Sequence, residues 1–345
     1  MDYAAIDLHK KESQIRLVTT AGEIVDRRIH TSRDRLTAVF GGRPQTRILV
    51  EASTESEWVA QHLESLGHEV IVADPNYAPM YVTRTRRIKT DRRDAEALAD
   101  ACRLGIYRRA HRKSPSRRMV DWELGMREQL IRTRTRLLAF VRTILRSQGF
   151  HLTTGRAETV LARVDALELP PATVDLLAPL RPLFKQIDQD LARLDERCGQ
   201  RAKHDAAIRR LMTFPAIGPV TACAFVAALD DVGRFASAKA VACYLGLVPR
   251  EHSSGEHQRR GRVLRTASPR VRVLLVQAAW RLWRLQYADT AALREWAEAI
   301  GRRRGAAIAI VALARRVARI LFAMWRDETP YTPGRLRRAR SVKTH

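Results

Sequence analysis

The sequence has few cysteines, and their arrangement excludes two classes of protein. Its 345 residues include four cysteines, and none of them form a C-x-x-C pair. Zinc modules and disulfide scaffolds depend on clustered or numerous cysteines, so neither is indicated. Unpaired thiols are typical of a reducing compartment, and we expect a cytoplasmic, nucleoid-associated protein.

Long apolar runs are also missing. The first residues do not combine a basic stretch with an apolar run, so no signal peptide is predicted. The most apolar late stretch, residues 306–325, is interrupted by Arg315, Arg316 and Arg319. A membrane span needs about 20 mostly apolar residues. We therefore expect an amphipathic helix there and no membrane partner.

Acidic residues are scarce relative to basic ones. There are 37 Asp and Glu against 62 Lys and Arg, a formal net charge of +25, while 46% of residues are hydrophobic. That hydrophobic content is enough for folded cores. A surface of this charge attracts polyphosphate chains whatever their sequence. The composition therefore favours a nucleic-acid partner.

The first part of the chain, residues 1–110, alternates strand and helix patterns. Three strand patterns come first, at 3–8, 13–19 and 23–30, and strand–helix–strand units follow through 46–50, 56–66 and 69–73. A meander followed by such units predicts a mixed sheet flanked by helices. This is the order of elements in a ribonuclease H-like fold.

The middle part, residues 111–205, is predicted to be helical. Apolar residues recur at nearly 3.5-residue spacing over 130–145 and again over 180–198. This spacing indicates either a helical hairpin, a dimerising coiled coil or an ordinary helix bundle. Arg127 and Arg134 occupy core-like positions in the first stretch, which weakens the coiled-coil interpretation.

The last part, residues 206–330, is predicted to be mostly helical. Residues 211–222 have the small residues of a helix–hairpin–helix turn, whose amides can face a phosphate, although a plain interhelical turn has the same pattern. A serine loop is expected at 252–255. The tail, residues 331–345, is basic and is predicted to be a mobile terminus or a nucleic-acid clamp.

Four carboxylates in the first part could hold metal ions. Asp7 and Glu51 each end a predicted strand, and Asp91 and Asp94 share one face of a predicted helix. Oxygen ligands of this kind suit Mg²⁺ or Mn²⁺, and two such ions can support phosphoryl transfer. The plain alternatives are a turn-forming Asp, a helix-start Glu and ion pairs with neighbouring Arg and Lys.

Serines next to Gly255 are candidates for a nucleophile. A hydroxyl needs a base or a metal, and cations that stabilise the phosphate. The candidate nucleophile is Ser254, with Ser253 one position away, although most Ser-Ser-Gly strings are turns. Basic residues expected to contact nucleic acid flank the acids and follow the serines: Lys10, Arg87, Lys89, Arg92, Arg93, Arg259, Arg260 and Arg262.

Several of these segments resemble a known family, the DEDD-type insertion-sequence transposases with a RuvC-like domain and a serine-bearing transposase domain. The segments are AIDLHK at 5–10, LVEA at 49–52, KTDRRDAEALA at 89–99, FPAIG at 214–218, YLGLVP at 244–249, SG at 254–255, VR at 271–272 and QAA at 277–279. Their order covers nearly the whole chain.

The resemblance implies a fold and an activity. It implies a RuvC-like catalytic domain at 1–110, a helical coiled-coil oligomerisation region at 111–205 and a helical transposase domain at 206–330. It also implies that Asp7, Glu51, Asp91 and Asp94 bind Mg²⁺ or Mn²⁺, and that Ser254 becomes covalently joined to DNA. Family members use a structured guide RNA that pairs with donor and target DNA, and they assemble as dimers and tetramers.

Two other interpretations remain open at this point. One is a RuvC-like metal-dependent nuclease acting on branched DNA, in which Ser254 only shapes a loop. The other is a basic architectural protein without catalysis, in which all the acids are structural.

Overall fold

A computed structural model describes residues 1–82, 90–254, 257–263 and 269–333, and only the backbone of residues 249–254 and 257–263. The chain divides into two compact units. The first is Met1–Lys113 and the second begins at Ser114. The second unit therefore includes both the predicted middle part and the predicted C-terminal part. The predicted contacts of Arg87, Lys89 and the tail from residue 334 onward lie outside the described residues.

The first unit is built on a five-stranded mixed sheet with the order β3-β2-β1-β4-β5. Strands β1, β2 and β3 are antiparallel, whereas β1, β4 and β5 are parallel. This confirms the predicted mixed sheet and is consistent with a RuvC-like domain. The strands are β1 (Asp2–Leu8), β2 (Glu12–Val18), β3 (Ile24–His30), β4 (Thr46–Glu51) and β5 (Glu69–Ala73).

Helices cover both faces of this sheet. Helices α1 (Arg33–Phe40) and α2 (Ser56–Ser65) share a hydrophobic core with Ile6 and Val50. Helix α3 (Asp91–Leu104) shares a second core with Ala5 and Leu49 on the opposite face. Both cores consist of fully buried apolar side chains, whose removal from water is the main stabilising term.

The alternation of side chains along the strands decides which face of the sheet carries the strand-end acids. Successive side chains of a strand face opposite sides of the sheet. Ala5 and Leu49 face α3, so Asp7 and Glu51, two residues further along each strand, face α3 as well. The hydrophobic pattern of the strands thus directs both carboxylates to one face.

The second unit contains two long helices that pack against each other, α4 (Pro115–Ser147) and α7 (Leu180–His204). The two core-like arginines of α4 have acidic partners on α7. Arg127 lies 2.5 Å from Asp195, and Arg134 lies 2.6 Å from Asp188. These intrachain ion pairs explain why arginine occurs at positions where a coiled coil would place apolar residues. A coiled coil between subunits stays a prediction.

The remaining helices of the described second unit are mostly short. The turn predicted between 211 and 222 does separate two helices, and the second of them is buried from Ala222 to Leu229. Whether this turn contacts DNA stays a prediction. The helices are α5 (Val160–Asp165), α6 (Pro171–Leu177), α8 (Ala206–Leu211), α9 (Pro219–Leu229), α10 (Ala238–Tyr244), α11 (Pro269–Arg284), α12 (Ala291–Arg304) and α13 (Ala306–Arg326).

The predicted serine loop is wrong in part, because its first residues belong to a strand. Strands β6 (Pro249–Ser254) and β7 (His257–Val263) pair as an antiparallel hairpin, called here the serine hairpin. The segment has little apolar alternation, the usual sequence signal of a strand. Its two strands are identified from the pairing of their backbones.

No helix in the described ranges combines the length and the apolar content that a bilayer crossing needs. Helix α13 is the predicted amphipathic helix at 306–325. Its buried residues recur on one side, from Ala309 to Met324, with Arg315, Arg316 and Arg319 elsewhere on its surface.

An ion-pair network fixes α3 against the sheet. Arg16 on β2 is nearly buried and lies 2.8 Å from Asp26 on β3 and 2.7 Å from Glu96 on α3. Arg92, also on α3, lies 3.0 Å from the same Asp26. Because α3 begins at Asp91, this network also sets the position of the helix start.

Replacing Arg16 tests that role. Arg16→Met leaves Asp26 partly buried without its main cation, and we expect the first unit to lose about 2–4 kcal/mol of stability. Arg28→Met is the matched control, because Arg28 pairs with Glu12 in an exposed position and the expected loss is below about 1 kcal/mol. Both losses of stability can be measured by urea unfolding, with hydrogen exchange of backbone amides in peptides of the first unit as the signal. Equal, small losses would contradict a positioning role for Arg16.

Candidate active site

Two carboxylates meet at the carboxyl ends of adjacent parallel strands. Strand β1 pairs with β4 so that Ile6 lies opposite Val50, which places Asp7 beside Glu51. Asp7 is 7% exposed and Glu51 is partly buried. Open α/β sheets bind ligands at the carboxyl ends of their strands.

Two more carboxylates come from the start of α3, which packs on β1. The side chain of Thr90 caps this helix by accepting a hydrogen bond from the backbone N–H of Arg93. Within the first turn, Asp94 is buried and Asp91 is exposed. These residues with the strand-end acids form the acidic tetrad: Asp7, Glu51, Asp91 and Asp94.

Two residues that the sequence analysis did not single out contact the tetrad. Nε2 of His9 lies 3.5 Å from Oδ2 of Asp7 and 3.5 Å from Oδ1 of Asp91. The hydroxyl of Tyr81 donates a 2.8 Å hydrogen bond to Oε2 of Glu51. Strand alternation gives a signal for His9, because it lies two residues after Asp7. Nothing in the sequence marks Tyr81, which is 30 residues from Glu51 along the chain.

The Asp7 carboxyl is influenced by its burial and by the charges of the other three acids. Burial raises the pKa of the Asp7 carboxyl from its ordinary 3.8 to about 6. His9 lowers this pKa, whereas the negative charges of Asp94, Asp91 and Glu51 raise it further. Mutual repulsion of this kind requires the carboxylates to be close together. Ligand atoms of Asp7 and Asp91 lie within 4.8 Å of each other and of His9. That all four acids share one metal site stays a prediction.

The donor set fits a divalent cation. Oδ2 of Asp7 is buried and accepts no hydrogen bond from the residues that the structure describes. Its neighbours are further carboxylate oxygens, the ligands that Mg²⁺ and Mn²⁺ prefer. A cation bound at this oxygen would offset both the repulsion from the neighbouring carboxylates and the hydration that the oxygen loses on burial.

Of the basic residues predicted to contact nucleic acid near the tetrad, three lie in the described part of the chain. Lys10 and Arg93 are exposed, and Arg92 is 71% exposed at its side chain while paired with Asp26. A groove of about 160 Å³ runs beside Asp91 and includes Lys11 and Arg28, two cations that the sequence analysis did not select.

Ser254 and the later arginines lie on the serine hairpin in the second unit. Ser254 is the last residue of β6 and its backbone pairs with His257. Arg259, Arg260 and Arg262 lie on β7, where Arg259 is opposite His252 and Arg260 is opposite Glu251. Ser253 lies opposite Gln258.

Comparison with known proteins agrees with this geometry. A DEDD-type family model described as "Transposase" matches residues 4–149, which contain the whole tetrad. A second model, described as "Transposase IS116/IS110/IS902 family", matches residues 208–294, which contain the serine hairpin. The chain is 33% identical to a "Probable family 20 transposase" of Pseudomonas aeruginosa, over 95% of this chain and 98% of that protein.

The chain belongs to the IS116/IS110/IS902 family of transposases. It is also similar to the transposase for insertion sequence element IS1328 of Yersinia enterocolitica, at 26% identity over 95% of this chain and 97% of the relative. For the transposase for insertion sequence element IS1111A of Coxiella burnetii, the identity is 27% over 78% of this chain and 74% of the relative.

Family membership confirms the prediction that this chain is an enzyme acting on DNA. The non-enzymatic architectural interpretation is therefore wrong. Membership in a DEDD-type family also implies dependence on a divalent metal, and the transposase has a cluster of ligand atoms able to hold one.

The raised pKa of Asp7 predicts how the metal-free transposase responds to pH. The folded protein retains the Asp7 proton to about pH 6, whereas the unfolded chain releases it near 3.8. Stability is therefore highest below about pH 4 for this group and falls as the pH rises through 6, by up to about 3 kcal/mol. Asp7→Asn removes this loss, so at pH 7 in chelator the variant should be the more stable protein.

Urea unfolding at several pH values, with wild type and variant in parallel, measures the effect. Asp34→Asn is the control, because Asp34 is an exposed acid of the first unit. If wild type and Asp7→Asn show the same pH dependence between 4 and 7, then burial and the neighbouring charges do not raise the pKa of the Asp7 carboxyl.

Proposed function

We propose that this transposase cuts and rejoins the DNA strands of an insertion sequence with metal ions held by the acidic tetrad and with Ser254 as the nucleophile. The observation that carries the proposal is that the buried Asp7 lies close enough to three other carboxylates to be influenced by their charges. Such a cluster is unfavourable by itself and favourable around a cation.

The tetrad supplies the metal ligands, and Mg²⁺ or Mn²⁺ is the cation that its oxygens suit. When bound, such ions stabilise the charge on a reacting phosphodiester and its departing oxygen. The protein itself holds the four carboxylates in place. The sheet fixes Asp7 and Glu51, α3 fixes Asp91 and Asp94, and the hydroxyl of Tyr81 orients the Glu51 carboxylate.

Ser254 carries the covalent step. Its oxygen forms a bond to the phosphorus of one DNA strand while a bridging bond from phosphorus to a deoxyribose oxygen breaks. The serine gives up its proton, and the departing oxygen takes one up as it becomes a hydroxyl. Rejoining is the reverse reaction with the hydroxyl of another strand, so the number of phosphodiester bonds is conserved.

Basic residues bind the DNA backbone in this proposal. Near the tetrad, Lys10, Arg92 and Arg93 contact phosphates, together with Arg87 and Lys89. On the serine hairpin, Arg259, Arg260 and Arg262 stabilise the phosphate that Ser254 attacks. Support comes from the excess of 62 basic over 37 acidic residues, since phosphate contacts dominate protein–DNA affinity.

A metal-dependent nuclease acting on branched DNA is the alternative function. It accounts for the tetrad equally well. The named relatives favour the transposase, because they match the chain through the second unit and not only through the tetrad. The two functions differ in whether Ser254 forms a covalent bond to DNA.

We also propose that the transposase works as a dimer or tetramer. Helix α4 exposes large apolar side chains, namely Met119 (50%), Trp122 (62%), Met126 (57%) and Phe140 (56%). The first three recur at intervals of three and four residues and so share one side of the helix. Apolar surface of this kind is typical of an interface between chains.

Exchanging Ser254 tests the covalent step. Ser254→Ala should abolish the covalent protein–DNA adduct while leaving DNA binding intact, and Ser253→Ala should retain the adduct. Asp7→Asn should abolish adduct and cleavage together. Denaturing gels of the full-length protein with end-labelled DNA measure all three variants. Continued strand cleavage by Ser254→Ala would support the nuclease instead. Loss of the adduct only in Ser253→Ala would show that Ser253 is the nucleophile.

A guide RNA is the final part of the proposal, based on the resemblance of the motifs to RNA-guided transposases. The chain's charge suits RNA as well as DNA. RNA that copurifies with the transposase from cells carrying the complete insertion sequence should map to the noncoding DNA beside its gene. Recovery of bulk cellular RNA without enrichment of that segment would leave a transposase that recognises DNA by itself.

A further inference from the structure

His9 lies beside the tetrad, although it is not one of the four acids. It follows β1 directly and lies two residues after Asp7, so both side chains are on the α3 side of the sheet. Its backbone carbonyl accepts a 2.7 Å hydrogen bond from the hydroxyl of Thr31, which follows β3. The side chain remains 55% exposed. An exposed histidine held by its backbone at this point is well placed for contact with a bound group.

The distances around His9 are those of a group of ligands. Nε2 lies 3.5 Å from Asp7 and 3.5 Å from Asp91, and all three ligand atoms lie within 4.8 Å of one another. In octahedral coordination with bonds of 2.0–2.1 Å, neighbouring ligand atoms are about 3.0 Å apart. Shortening each His9 contact by roughly half an ångström would therefore bring its nitrogen to the spacing of neighbouring ligands in one coordination sphere.

We propose that His9 supplies a nitrogen ligand to the metal ion bound by Asp7 and Asp91, and thereby biases the site toward Mn²⁺ over Mg²⁺. This inference rests on the proposed metal site. The physical reason is the match between ligand and ion. Imidazole suits transition metals, whereas Mg²⁺ is a hard ion that prefers oxygen. A nitrogen ligand therefore adds more to the affinity for Mn²⁺ than to that for Mg²⁺.

An ion pair is the competing account of the same geometry. A protonated His9 between two carboxylates would also lie near both oxygens, and a bound metal would then displace it. The two accounts differ in whether the imidazole nitrogen is bonded to the ion. A spectroscopic measurement of nitrogen coupling to the metal distinguishes them directly.

Electron spin-echo envelope modulation of the full-length protein loaded with Mn²⁺ makes that measurement. We expect nitrogen modulation in wild type, a changed pattern when histidine is labelled with ¹⁵N, and no modulation in His9→Ala. His151→Ala is the matched control, since His151 is an exposed histidine of the second unit, and it should retain the signal. Bound Mn²⁺ without nitrogen coupling in wild type overturns the assignment of His9 and leaves the metal site intact.

Metal titrations give a second readout. His9→Ala should raise the Kd for Mn²⁺ by roughly fivefold to tenfold and that for Mg²⁺ by less than about twofold. Equal changes for both ions would overturn the proposed bias. Asp7→Asn should weaken both ions strongly. If wild type and Asp7→Asn bind Mn²⁺ equally, the failure lies with the metal site itself and not with His9.

Discussion

Negatively charged carboxylates lie near one another at one edge of the sheet, and their mutual repulsion is the interaction on which the proposed metal site depends. Burial, with a smaller contribution from the charges of Glu51, Asp91 and Asp94, raises the pKa of Asp7 to about 6. A folded protein retains such an arrangement at a cost in stability. Cores on both faces of the sheet and the ion pairs of Arg16 supply the rigidity that holds the acids together.

Much of this arrangement follows from the sequence. The order of strand and helix patterns predicts the mixed sheet. Alternation of apolar residues in β1 and β4 is sufficient to place Asp7 and Glu51 on the same face, since Ala5 and Leu49 point the same way. The three-residue spacing of Asp91 and Asp94 places both in the first turn of α3.

Other features depend on contacts that no local pattern encodes. Tyr81 reaches Glu51 across 30 residues, and Arg16 joins β2 to β3 and α3 at once. The arginines at core-like positions of α4 make sense only with Asp188 and Asp195 of α7 beside them. The serine hairpin is defined by the backbone pairing of its two strands, whereas its sequence has little of the apolar alternation that predicts a strand.

The two units contribute different parts of the same chemistry in this account. The first supplies carboxylates that suit divalent ions, and the second supplies Ser254, the proposed nucleophile. Family models match each part separately, and the relatives from Pseudomonas aeruginosa and Yersinia enterocolitica match both along nearly their whole length. Direct evidence for the central claim would be a crystal structure of the protein soaked with Mn²⁺, with the ion located by anomalous scattering. The account predicts at least one ion within bonding distance of Asp7 and of other members of the tetrad. Ions bound only elsewhere, with the four carboxylates uncoordinated, would contradict it.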